Sequence, residues 1–180
     1  MIYTTLNKIL KHTPCQSGWL KLLAGLNKAG ADDEPLPLIH ILKINGLNDA
    51  LWALRTTDCD RESRLLAVAY ARQVQHLMTD ERSVSCLEVA ERFANGKATL
   101  DELIEARVAA EAAYAAEFAA GSAAYAAELA AAYAAGSAAP DTAEWVAAYS
   151  DKLAAAYAAG IAEWAAMREK QAEIFREILG

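Results

Sequence analysis

Only three cysteines occur in the 180 residues, Cys15, Cys59 and Cys86, and no two stand at a spacing that would suggest a disulfide or metal pair. An odd count, and a start from Met1 to Lys8 without the basic end, apolar stretch and small-residue cleavage site of a secretory leader, point to a cytoplasmic protein with free thiols. A zinc site usually gathers four ligands as two close pairs. Here His12 and Cys15 form one such pair with Pro14 between them, while His40 and His76 stand alone, so no metal is expected. No stretch reaches the 18 or so large apolar residues of a membrane span. There is no glycine-rich phosphate loop, no Gly-x-Ser-x-Gly elbow and no paired-carboxylate signature, so neither a cofactor nor catalysis is expected. No run of alternating β-branched residues is present either, and the fold class expected is all-α.

What is abundant is alanine. From Ala109 to Ala166, 30 of 58 residues are Ala, the strongest helix former. The large residues among them fall at helical intervals. Tyr114, Phe118, Tyr125, Leu129 and Tyr133 share one helix face, and Trp145, Tyr149, Leu153, Tyr157, Ile161 and Trp164 share another. Such stripes read either as the seam between two helices or as an exposed aromatic binding face; the seam is the expectation. Glu111, Glu117, Glu128, Glu144, Asp151 and Glu163 would then lie outside or at its rim.

The chain divides by composition into a compact helical bundle over 1–96 and an Ala-rich antiparallel hairpin over 97–180, packed on the bundle or extending from it. In the bundle, helices are expected over Thr4–His12 and Ser17–Asn27. A third opens at Asp33-Glu34-Pro35 and ends at Asn45-Gly46, and a fourth, starting at Asn48 or Asp49, carries Leu51, Trp52 and Leu54. A fifth is capped by Asp60, and a sixth runs from Thr79 or Asp80 to Asn95-Gly96. Thr99 with Glu102 and Asp141 with Glu144 fit capping boxes for two long helices of about 38 residues, about 57 Å each, turning near Gly136–Asp141. Gly121 and Gly160 are the places where these helices would bend or break. Cys86 falls on an apolar helix face and reads as core.

Charge is distributed unevenly. Residues 1–100 hold 11 acids and 12 bases, net +1, while residues 101–180 hold 13 acids and 5 bases, net −8. Phosphate backbones are bound by Lys and Arg, so direct nucleic-acid binding is not expected of the C-terminal part. An acidic helical surface can instead meet a basic protein surface or imitate a nucleic acid.

The stretches Asp60–Val74 and Ala90–Thr99, then Glu105-Ala106-Arg107 leading into Ala-rich repeats, resemble a family of Ala-rich helical immunity proteins of bacteria and phages. Pro14–Trp19 is similar to that family's N-terminal stretch, and Asn45–Arg55 to a segment of its phage-borne members. This chain has Tyr and Glu where such repeats often carry Trp, Arg and Asp, so its tail is more acidic. The resemblance implies an inhibitor that neutralises a toxin or a bacterial defence component; a phage counter-defence protein such as an anti-CRISPR fits a small acidic binder equally well, and the expected partner is a toxin, a nuclease or a defence complex. It carries over no catalytic residues. The acidic residues Glu111, Glu117, Glu128, Glu144, Asp151 and Glu163 are the expected protein-binding set, with the short helices between Thr13 and Arg55 as the next surface. A nucleic-acid mimic and a structural homo-oligomer are the alternatives, with an enzyme third.

Overall fold

The computed structural model describes residues 1–119 and 161–180, with side chains through residue 116 and from residue 165. The molecule is mostly helical. The first element is a two-residue strand, β1 (Tyr3–Thr4), antiparallel to β2 (Leu36–Pro37), with Tyr3 opposite Pro37 and Thr4 opposite Leu36. Helix α1 (Leu6–Lys11) starts where Thr5 Oγ1 accepts Lys8 N at 3.1 Å, and it buries Leu6 and Ile9. Helix α2 (Gln16–Gly25) is capped by Cys15, whose Sγ accepts Gly18 N at 3.4 Å.

The third helix differs from its expected start. Asp33-Glu34-Pro35 does not open it; α3 is Leu38–Asn45, and Leu36–Pro37 is strand instead. The reason is local. A residue before proline is pushed out of the helical region, and both Glu34 and Leu36 precede one. Asp32 is occupied in a turn, paired with Lys28 and accepting Glu34 N at 3.1 Å. Gly46, at φ +99°, both ends α3 and opens α4 (Leu47–Ala53), a backbone state that side chains other than glycine resist. A single 3-10 turn, Leu54–Thr56, follows.

Helix α5 (Asp60–Gln73) is preceded by Cys59, which makes no side-chain cap. Asp60, expected as that cap, lies with Glu62 inside the first turn, where carboxylates favour the positive end of the helix dipole. Helix α6 (Glu81–Ala94) is capped by Asp80, which accepts Arg82 N at 2.8 Å. Helix α7 (Leu100–Ala119) begins at the expected capping box: Thr99 N donates to Glu102 Oε2 at 2.7 Å and Glu102 N to Thr99 Oγ1 at 3.2 Å. Helix α8 (Ile161–Leu179) closes the described chain. The hairpin turn at Gly136–Asp141, the capping box at Asp141 and Glu144, the glycines Gly121 and Gly160 and the aromatic stripes from Tyr125 to Tyr157 lie outside the described residues.

One core joins these helices. α7 packs on α6, α6 on α5, and α8 lies against α5, α3 and α4. Phe175 and Leu179 of α8 are fully buried in the same cluster as Leu6, Leu51, Leu66, Tyr70 and Leu87, and Leu103 and Ala110 of α7 join it. Complete burial of one such side chain stabilises by about 1.5–3 kcal/mol. Tyr70 Oη donates to Gln171 O at 3.1 Å, and Ile2 N donates to Leu179 O at 3.0 Å, which ties the two ends of the described chain together. α2 and α3 approach so closely that a Cβ on Gly25 would stand 2.5 Å from Ile44 Cγ2.

Candidate functional sites: an acidic helix face and a tryptophan cleft

Helix α7 has two faces. Leu103, Ala110 and Ala113 are buried, and Ala106 is half-buried, on the side packed against α6. At the helical spacing of four on the other side stand Leu100, Ile104 and Val108, exposed by 58%, 50% and 59%. Three large apolar residues at successive turns of the helix form a stripe that is half or more exposed among the described residues. Exposed Asp101 and Glu105 border it on one flank, and the Arg107–Glu111 pair, Nε to Oε1 at 2.8 Å, on the other. At the helix start, Glu102 accepts the Thr99 backbone N–H, which holds its carboxyl below the ordinary carboxylate range, and Arg92 reaches it at 3.4 Å.

Of the six acids expected to form a binding face, only Glu111 has a described side chain, exposed and on this face. Glu117 belongs to α7 and Glu163 to α8, but their side chains lie outside the description, as do Glu128, Glu144 and Asp151 altogether. The Leu100–Ile104–Val108 stripe was missed by reading the sequence. Its spacing is visible there, but Leu103, Ala106 and Ala110 offer a competing apolar face one position away.

A second feature assembles where two separated segments meet. Residues of the segments Pro14–Trp19 and Asn45–Ala53 come together to line a cleft of about 150 Å³, to which Ile9, Leu22 and Ile41 also contribute. Trp19 and Trp52 are half-buried in its lining. Asn45 Nδ2 donates to Gly18 O at 2.8 Å and to Asp49 Oδ2 at 2.6 Å, bracing α3 against α2 and fixing the Asp49 carboxylate. Asn45 Oδ1 is buried with no hydrogen-bond partner among the described residues. A Cβ at Gly18 would meet Asp49 Oδ2 at 2.7 Å and displace the carboxylate from this position. Arg55 stacks on Trp52, its Cζ 4.8 Å from the ring centroid.

The cysteines and histidines do not converge on one site. Cys15 lies at the cleft rim and is exposed, whereas Cys59 and Cys86 are buried. The Cys86 thiol is pushed up to about 12, chiefly by burial. No histidine lines the cleft. Among the described residues no group of three His, Cys, Asp or Glu side chains is placed to hold a metal ion, and no helix is long and apolar enough to cross a membrane. Compared with family models, curated proteins and solved structures, the chain finds no match.

Proposed function

We propose that the protein acts without catalysis, by binding another protein, and that the outer face of α7 carries the contact. The observation behind this reading is the Leu100–Ile104–Val108 stripe, half or more exposed on an acidic helix. Apolar stripes rimmed by charge mark interaction surfaces, and an amphipathic helix commonly supplies the anchors of a protein contact at intervals of four. Asp101, Glu105 and Glu111 fit a partner surface that is apolar at its centre and basic at its rim. The net −8 of residues 101–180 extends the same preference for a basic partner. The resemblance to immunity proteins of bacteria and phages gives that partner a class: a toxin, a nuclease or a bacterial defence complex that the protein neutralises in the cytoplasm.

The stripe also favours a second reading, a homo-oligomer that pairs α7 with α7. A photo-reactive side chain in place of Ile104, with one in place of exposed Tyr3 as the remote comparison, separates the two in the cells that carry the protein. A crosslink from position 104 to a different protein supports the proposal. A crosslink to a second copy of this chain supports the oligomer instead. Crosslinks from position 3 alone would overturn both. A nucleic-acid mimic would bind its partner with an affinity that falls steeply as salt rises, because charge pairs alone would hold the complex; apolar anchors make that fall shallow.

A further inference from the structure

We infer that the Trp19–Trp52 cleft receives one cationic side chain, a lysine or an arginine, of a partner protein. This rests on the reading that the protein works by binding another protein, but on a different surface from α7. The size of the cleft is the first argument. At about 150 Å³ it is well below the roughly 300–1,000 Å³ of small-molecule and cofactor sites, and suits a single inserted side chain. Its chemistry is the second. Two indoles and a carboxylate line it, and aromatic faces attract cations through the ring quadrupole. Trp52 already takes the Arg55 guanidinium in this way.

Asp49 is held rigid by Asn45 and has no cationic partner among the described residues. The cations at the rim are engaged elsewhere: Lys21 Nζ donates to Asn45 O at 3.3 Å, and Arg168 donates to Asn48 Oδ1 and Gln171 Oε1. An incoming ammonium or guanidinium would therefore find a fixed, unneutralised carboxylate beside aromatic walls. Gly18 lacks the side chain that would displace this carboxylate.

The test follows the indole N–H signals of Trp19 and Trp52 in the full-length, isotope-labelled protein. Nα-acetyl-lysine amide, Nα-acetyl-arginine amide, uncharged Nα-acetyl-norleucine amide and methylammonium are added in turn. The expected result is saturable movement of both signals with a capped cation, binding about tenfold or more tighter than norleucine. Asp49→Asn should remove that preference and leave norleucine binding unchanged. If Asp49→Asn loosens the α3–α4 junction, the unaltered protein still decides, because added salt should weaken the capped cations and not norleucine. Equal binding of norleucine, or no saturable movement, would overturn the inference. Methylammonium binding tighter than both capped residues would also overturn it, by assigning the cleft to a free amine. Failure here leaves the α7 reading standing, and a missing crosslink at position 104 leaves this one standing.

Discussion

Single residues carry two of the sharper consequences. The three thiols differ in exposure, and the thiolate is the reactive form. Cys15 is open to solvent, Cys59 is 2% exposed, and Cys86 is fully buried with its thiol pushed up to about 12. A thiol-specific reagent at neutral pH should label Cys15 alone in the folded protein and all three after denaturation, as read by intact mass; labelling of Cys86 in the folded state would contradict the packing of α6. Gly46 carries the second consequence. At φ +99° it joins α3 to α4 and sets the angle that brings Asn45 and Asp49 to the same cleft. Gly46→Ala should destabilise by about 1–3 kcal/mol, the cost of holding a residue with a Cβ at positive φ with extended ψ, measured by urea unfolding. No loss would mean that the junction relaxes to another geometry.

Helices make the next scale, and here the sequence was partly legible. Capping boxes are local chemistry, so Thr99 and Glu102 announced α7 correctly. Thr99→Ala should lower stability by about 1 kcal/mol, seen as a lower midpoint of thermal unfolding. The Glu102 carboxyl lies below its ordinary value of 4.5, with the Thr99 backbone hydrogen bond as the largest cause. Because its folded value is depressed, the stabilisation it gives is present above about pH 4.5 and is lost as pH falls further. Glu102→Gln should flatten that part of the acid-unfolding curve; an unchanged curve would remove Glu102 from the account. The start of α3 was misread because helix-opening signals at Asp33-Glu34-Pro35 were weighed without Pro37, whose effect on Leu36 favours the strand. The β1–β2 pairing was not legible, since two residues give no alternation and the partners are more than thirty positions apart. The tryptophan cleft was legible only as two separate segments. That they meet depends on Gly25 and Asn45 letting α2 and α3 come close, which is a property of packing and not of either segment.

At the scale of the molecule, α8 is part of the core and not an appendage. Phe175 is fully buried among residues contributed by the first half of the chain, and Leu179 O accepts from Ile2 N. Phe175→Ala should cost about 3–5 kcal/mol, a large share of the 5–15 kcal/mol by which small proteins are stable, and should lower the unfolding midpoint of the whole protein in one transition. A separate early transition confined to α8 would contradict the shared core. The charge division has a counterpart in exposure: among the described residues, the acidic half presents the exposed apolar stripe on α7. The central claim is that this stripe is where another protein binds. It is tested most directly by measuring calorimetrically the affinity of the crosslinked partner, once purified, for the unaltered protein and for a Leu100→Ser, Ile104→Ser, Val108→Ser variant with the same helix content. The account predicts that the dissociation constant rises about a hundredfold or more, as expected for the loss of central apolar anchors. An unchanged constant in the folded variant would contradict it.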